Sequence, residues 1–452
     1  MKIIIVGCGK VGEALAAELN DEGNDITVVD QNSAKVKHIA TRHDILGVIG
    51  NGATREIQKE AGVDNADLLI AVTGSDELNL LCCLMAKKAG NCQTIARIKS
   101  PEYANDAPYL RDELGLAMVI NPEYTAAQEI TRILKFPTAI KVETFSKGRV
   151  ELLKFRLPEN SPLVGMSLRE AMIRFKSNVL VCTVERGEEA HIPKGDFVFK
   201  ERDMISIIAS SKSMLEFFAK INYKTQTVKD VVIAGGGDIT HYLCEMLDRS
   251  GIAVKIIEKS FDRCDELAIE FPRVTVINGN PSDEDVLKEE RIGSTDAFIA
   301  LTGLDEENIL LSLFAKNQGS RKVITRINRI EYNDVISKLD LDSIIYPKNL
   351  TADMIVRYVR SKQNTLGSNM ETLYNLYRGE VEVAEFTVGD NSEIVGKPLS
   401  ALHFKENALI AAILRGRQLI IPRGAAVIES GDSVVTVTKL LALHDISDVL
   451  QK

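Results

Sequence analysis

The chain repeats itself once. Aligned from residue 1 and again from about residue 229, its halves match nearly end to end: Lys2-Ile-Ile-Ile-Val-Gly-Cys-Gly9 lies over Asp230-Val-Val-Ile-Ala-Gly-Gly-Gly237, and Asp30 falls on Glu258. Thr73-Gly-Ser-Asp-Glu-Leu-Asn79 meets Thr302-Gly-Leu-Asp-Glu-Glu-Asn308, and Ile192-Pro-Lys-Gly195 meets Ile421-Pro-Arg-Gly424. The offset is 228 at Gly7 and 229 at Thr73. Such a period is far above the roughly 20–50 residues of solenoid repeats, so the duplicated object is itself a multi-domain unit. At about 100–200 residues per domain, 452 residues hold about two to four domains.

Each half opens with short apolar runs alternating with helical patterns, the sign of βαβ units around a parallel sheet. In half one the strands read Ile3–Val6, Ile26–Val29, Ile45–Ile49, Leu68–Val72, Thr94–Ile98 and Met118–Ile120. A helix follows with Ala126, Ala127, Ile130, Ile133 and Leu134 on one face, and Phe136-Pro137 ends it. Beyond it, strands at Val150–Leu157, Val179–Val184 and Met204–Ala209 with one helix near Leu168–Phe175 predict a small α+β module. The fold class is α/β: a tandem duplication of a Rossmann-like doubly wound parallel sheet, each followed by a small α+β module. The expected domains are 1–135, 140–222, 229–360 and 370–452, with Asn222–Thr227 and Ser361–Asn369 as connectors. The helices after Pro122 and Pro347 are candidates for contacts between the two Rossmann units, or for packing on their own sheets.

Gly7-Cys8-Gly9-Lys10-Val11-Gly12 lies between a strand and a helix, and Asp30 ends the next strand. That context defines a dinucleotide fingerprint. Gly7 permits the tight turn, Gly9 lets phosphate approach the backbone, and Gly12 lets helix and strand pack closely. The helix N-terminus offers free N–H groups and a positive dipole end to phosphate. Asp30 suits ribose hydroxyls and repels a 2′-phosphate, which disfavours NADP. Two further loops reach the same crevice: Gly50-Asn51-Gly-Ala-Thr54 and Thr73-Gly74-Ser-Asp76. Thr73 and Asp76 are placed to contact ribose or a nicotinamide amide, or else to cap the helix that follows. Arg97 is placed to reach phosphate or to form a structural ion pair. In half two, Asp238 replaces Lys10 and Thr240 replaces the third glycine, so a phosphate chain is expected to prefer half one. Glu258 there is the candidate ribose acid.

Composition narrows the function. Lys and Arg total 55 against 64 Asp and Glu, a net charge of −9, which argues against nucleic acid. The seven cysteines are scattered, the six histidines show no ligand spacing, and no apolar run approaches the roughly 18 residues that span a bilayer. No metal site is expected. A Tyr358-x-x-x-Lys362 dyad like that of short-chain dehydrogenases occurs only in half two, where chance spacing on a helix accounts for it. An NAD-dependent oxidoreductase, the alternative reading, needs a general acid or base at the nicotinamide, and the residues after each Rossmann unit offer no such arrangement.

The tandem order of these motifs, with Asn160-Ser-Pro-Leu-Val-Gly165 at the entry to the first small module, resembles the TrkA family of bacterial and archaeal Trk potassium uptake systems. The resemblance covers essentially the whole chain. It implies RCK (also called KTN) domains followed by TrkA-C modules. It further implies a regulatory, non-enzymatic subunit that binds NAD(H) or ATP/ADP and assembles as a homo-oligomeric ring. That ring would lie in the cytoplasm beneath a membrane potassium transporter of the TrkH or TrkG type. Gly7, Gly9, Gly12 and Asp30 match the family's nucleotide loop and ribose acid. Lys10 matches a basic position near the phosphates of a neighbouring subunit's ligand.

Overall fold

The computed structural model describes the chain except for residues 105, 138, 147–148, 188, 224–226, 249, 329–332, 337, 340, 364–367, 377–378, 440–442, 444 and 452. The middle of each connector, and His444, lie outside the described residues. In half one the first sheet is built from β1 (Lys2–Val6), β2 (Asp25–Asp30), β3 (Leu46–Ile49), β4 (Leu68–Ala71), β5 (Gln93–Arg97) and β6 (Met118–Ile120). All pair parallel in the order 3-2-1-4-5-6, with Ile5 opposite both Val28 and Ile70. β1 and β4 are apolar and buried along almost their whole length, because helices cover both faces of a parallel sheet. Strand order reverses between β1 and β4, and the crevice beyond their carboxyl ends is where such sheets hold ligands.

The first small module contains β7 (Lys141–Phe145), β8 (Val150–Arg156), β9 (Leu180–Arg186), β10 (Glu189–His191) and β11 (Met204–Ala209), antiparallel in the order 10-9-11-8-7. The helix Leu168–Phe175 starts with a capping box in which Ser167 and Glu170 satisfy each other's backbone N–H groups. Sequence analysis finds three of these five strands. β7 carries a lysine and a glutamate, and β10 has only three residues, so neither shows an apolar run. It also misses the helix Ser211–Lys220, which ends the module by burying Met214, Phe217 and Phe218.

Half two repeats both sheets. β12 (Asp230–Ala234), β13 (Ala253–Glu258), β14 (Thr275–Asn278), β15 (Ala297–Ala300), β16 (Lys322–Arg326) and β17 (Ser343–Ile345) pair in the order 14-13-12-15-16-17. β18 (Ser368–Leu376), β19 (Val381–Val388), β20 (Ala408–Arg415), β21 (Gln418–Ile420) and β22 (Ser433–Thr438) pair in the order 18-19-22-20-21. The expected linker at Ser361 is shorter than read, since the helix from Pro347 continues to Gln363. Along that helix the Lys362 ammonium lies 5.4 Å from the centre of the Tyr358 ring, a cation–π contact one turn apart.

The two halves do not fold as two bodies. One compact unit joins Met1–Thr131 to Lys229–Val356, and a second joins Arg132–Val228 to Arg357–Lys452. The first unit therefore pairs the Rossmann sheets and the second pairs the small modules. In the first, Tyr242 from the helix Asp238–Asp248 is 1% exposed. Its hydroxyl donates to the Lys99 carbonyl and accepts from Asn121 Nδ2, both at 2.9 Å, and its ring meets Tyr124 edge-on. The helix Pro122–Lys135 also meets half two, where Thr125 Oγ1 lies 3.8 Å from Met354 Sδ. In the second unit, Phe145, Leu152 and Ile208 share one core with Val383, Val435 and Val437.

Candidate nucleotide site

Gly7 follows β1 with φ +110°, a conformation that glycine adopts without strain. A side chain there would meet the Val72–Thr73 backbone at 2.9 Å. Gly12 lies one helical turn deeper, where a Cβ would fall 1.8 Å from the Gly7 carbonyl oxygen. Only hydrogen fits. Gly9 faces open space, with nothing within 4 Å of where a Cβ would stand. The helix Lys10–Asp21 begins directly after it without a side-chain cap, leaving first-turn N–H groups for a ligand.

Asp30 both ends β2 and braces the loop. Its Oδ2 accepts the Cys8 N–H at 2.7 Å and its Oδ1 accepts the Asn32 N–H at 2.8 Å. A carboxylate has about four lone-pair positions, so acceptor capacity remains on each oxygen. Burial pushes the neighbouring Cys8 thiol up to about 12, with Asp30 adding to the shift, which keeps the thiol protonated.

A cavity of 430 Å³ opens over this loop. Gly7, Gly9, Asp30, Asn51, Thr73, Gly74 and Arg97 line it, so the structure brings seven of the sequence-derived candidates together. Lys10 is exposed and, with Cys8, Val11 and Gly12, is absent from its lining. Gln31, Lys35 and Leu78 join the wall instead. Sequence reasoning missed them. Lys35 lies in the first turn of the helix Ser33–His43, capped by Asn32, a position that returns it towards Asp30.

Several candidates take a different part from the one expected. Ser75 caps the helix Asp76–Ala89 by accepting the Leu78 N–H, which neither Thr73 nor Asp76 does. Thr73 donates its hydroxyl to Asn79 Oδ1 at 2.7 Å. Asp76 is 5% exposed and holds the Lys99 and Ser100 N–H groups on Oδ2 at 3.0 and 2.9 Å, so it faces the loop after β5. Asn51 Oδ1 accepts the Ala53 N–H and shapes its own turn. Arg97 lines the cavity and also pairs with Glu123 at 3.1 Å, each side chain less than one-fifth exposed. Removing one member of so buried a pair costs about 3–5 kcal/mol.

The second glycine loop has the same outline and different contents. Glu258 accepts the Gly236 N–H at 2.6 Å and the Ser260 N–H at 2.8 Å, as Asp30 does in half one. Thr240 is buried, and its hydroxyl donates to the Gly235 carbonyl at 2.6 Å. Arg263, the counterpart of Lys35, places Nε 2.7 Å from the Gly236 carbonyl and Nη1 2.7 Å from Glu266. Half two thus covers part of its loop with its own cation. Burial lowers the tendency of Arg326, the counterpart of Arg97, to hold its proton, against the pull of Glu123, Asp305 and Asp238.

A 3-2-1-4-5-6 parallel sheet with a glycine loop at its switch point and an acid ending the second strand defines a Rossmann-type α/β fold. The comparisons carry this to a family. Residues 3–122 and 231–347 match the TrkA-N domain, and residues 152–222 and 383–450 match the TrkA-C domain. The chain is 33% identical to the Trk system potassium uptake protein TrkA homolog 1 of Methanosarcina mazei, over 99% of both chains. It is 33% identical to the Trk system potassium uptake protein TrkA of Halomonas elongata, over 96% of this chain and 95% of that one. The chain belongs to the TrkA family. Among solved structures, the GsuK RCK domain superposes with a TM-score of 0.64 at 18% identity, covering 96% of this chain and 92% of that one. The GsuK channel bound to NAD gives 0.63 at 18%, covering 97% and 76%.

Proposed function

We propose that this chain is a nucleotide-sensing regulatory subunit of a potassium uptake system, with its principal site at the glycine loop of half one. The observation that carries the reading is the cavity over that loop, in a chain whose relatives match it over full length and are named for Trk potassium uptake. The pyrophosphate lies against Gly7 and Gly9 at the N-terminus of the helix Lys10–Asp21, with Lys35 and Arg97 supplying positive charge. Asp30 accepts from ribose hydroxyls with the capacity that Cys8 and Asn32 leave. Asn51, Thr73 and Gly74 shape the remaining wall, and Gly12 keeps the helix close to the strand. The ligand is NAD(H) or an adenine nucleotide, ATP or ADP. Solved relatives of the fold are described with NAD and with ADP.

Regulation follows from linkage: a nucleotide shifts the protein between two arrangements only by binding one of them better. The partner in this reading is a TrkH- or TrkG-type membrane subunit that conducts potassium. A homo-oligomeric ring of this chain lies against its cytoplasmic face. Among the described residues no helix is long and apolar enough to cross a membrane, so membrane attachment runs through the partner. The role is regulatory and not enzymatic. The deciding experiment has two parts. Calorimetry of the purified full-length chain with NADH, NAD, ATP and ADP should show saturable binding that Asp30→Ala weakens. Deletion of the gene should impair growth at low external potassium, with rescue by wild type and not by a nucleotide-blind variant. Absence of binding to all four nucleotides, or normal uptake without the protein, overturns the reading.

A further inference from the structure

Half two holds an ion pair with no counterpart among the described residues of half one. Arg360, near the end of the helix Pro347–Gln363, places Nη2 3.0 Å from Oε1 of Glu382 on β19, and the two side chains are only 4% and 3% exposed. The duplication sets Lys135 and Glu151 at the corresponding places: Pro122 and Pro347 open the two helices, and Val150-Glu151 and Val381-Glu382 open the two strands. Here the pair is open. Lys135 is exposed, and between it and Glu151 lies a 330 Å³ cavity that Arg132, Ser146 and Thr372 also line. Glu151 is 8% exposed, and its Oε2 has no hydrogen-bond partner. Buried acceptors in folded proteins are nearly always satisfied. The hydroxyls of Ser146 and Thr372 on the opposite wall already donate to Glu385. Burial also holds the Glu151 carboxyl above its ordinary range, against the influence of Ser211 and Lys135.

In half two the equivalent glutamate takes a guanidinium through one oxygen, Glu382 Oε1 on Arg360 Nη2. We propose that the cavity binds a small zwitterion of the basic amino-acid class, its guanidinium on Glu151 and its carboxylate on the basic rim of Arg132 and Lys135. A simple cation would be repelled by that rim, and a simple anion by Glu151. The volume suits one amino acid, at the low end of ligand pockets. A guanidinium matches a carboxylate with two parallel N–H bonds. Because Thr372 belongs to the module of half two and Glu151 to that of half one, a bound ligand joins the two modules.

The test uses the full-length chain, with L-arginine as probe and agmatine, which lacks the carboxylate, as comparator. Calorimetry should show saturable L-arginine binding, weakened about tenfold or more in Glu151→Gln. Lys135→Arg, which installs the pair of half two, should abolish binding and raise the unfolding temperature. Agmatine should bind about tenfold more weakly than L-arginine. NADH binding, measured alongside, should be unchanged in both variants. No saturable heat at millimolar L-arginine, or unaltered binding in Glu151→Gln, overturns the site. Equal affinity for agmatine overturns the zwitterion. Should Glu151→Gln fail to fold, Lys135→Arg decides alone: undiminished L-arginine binding in it overturns the proposal.

Discussion

The two glycine loops share a backbone course and differ in what fills the space around it. In half one, hydrogen at Gly12 lets the helix lie against the Gly7 carbonyl, and the cavity above stays open. In half two, Thr240 bonds the equivalent carbonyl with its hydroxyl, and Arg263 bonds the next one. The same fingerprint can therefore leave its carbonyls free or engage them through two side chains. Glycine at these positions leaves donors, acceptors and volume unused by the protein, and in half two Thr240 and Arg263 each commit one carbonyl to the protein itself.

The comparison can be broken most forcefully at Gly12. Gly12→Thr forces a side chain into the 1.8 Å gap at the Gly7 carbonyl, and we expect about 3 kcal/mol of lost stability in urea unfolding, with loss of NADH binding. The reverse change, Thr240→Gly, should cost only about 1–2 kcal/mol for the hydroxyl bond and the added helix glycine. Equal effects at the two positions would remove the distinction between a loop whose carbonyls are free of side chains and one whose carbonyls Thr240 and Arg263 engage.

Asp30→Ala comes next. It removes the acceptor of both the Cys8 and Asn32 N–H groups, so calorimetry should record nucleotide binding weaker by about 1–3 kcal/mol, together with a measurable fall in stability. Asp30→Glu copies half two and should retain the brace. Unchanged affinity in the alanine variant excludes Asp30 as the ribose acid.

Charge at the helix N-terminus gives a smaller effect. Lys10→Asp should weaken NADH binding about tenfold, equivalent to about 1.4 kcal/mol, with the difference shrinking at high salt because Lys10 is exposed. Asp238→Lys should strengthen binding at the second site. These tests need the intact chain. Because each compact unit takes one segment from each half, a separately expressed half would expose surfaces that the other half covers.

The smallest effect is a pH slope. Burial raises the Cys8 thiol from 9.0 to about 12, and the equivalent position in half two, Gly236, has no thiol. A raised folded-state value favours the protonated form. Its contribution to stability is complete below pH 9 and is lost as pH rises towards 12. Cys8→Ala should flatten the decline of unfolding free energy above pH 9, and slow alkylation of Cys8 at pH 8 checks the same assignment. Fast alkylation there contradicts it.

Much of this protein is legible along the chain because its determinants are local. Apolar runs such as Ile3–Val6 mark buried parallel strands, the glycine spacing marks the loop, and Asp30 ends the strand beside it. The duplication could be read residue against residue, including the exchanges at Lys10 and Thr240. What no local pattern carries is which surface meets which. β7 escaped notice because its burial depends on β8 and the facing module. Asp76 stands where a cap is common, yet it faces the Lys99–Ser100 backbone because β5 delivers that loop to it. Arg97 both lines the cavity and pairs with Glu123, 3.1 Å away and a neighbour through folding alone.

Sequence by itself determined the two sheets of each half and the positions of both glycine loops, since periodic burial and backbone freedom are properties of consecutive residues. Tertiary structure decided that the Rossmann sheets pair with each other, that Arg263 lies over one loop while the other stays open, and that Glu382 meets Arg360 while Glu151 does not meet Lys135. Those outcomes turn on differences of a few ångströms between side chains remote in sequence. A hydrogen bond or ion pair exists only within such distances.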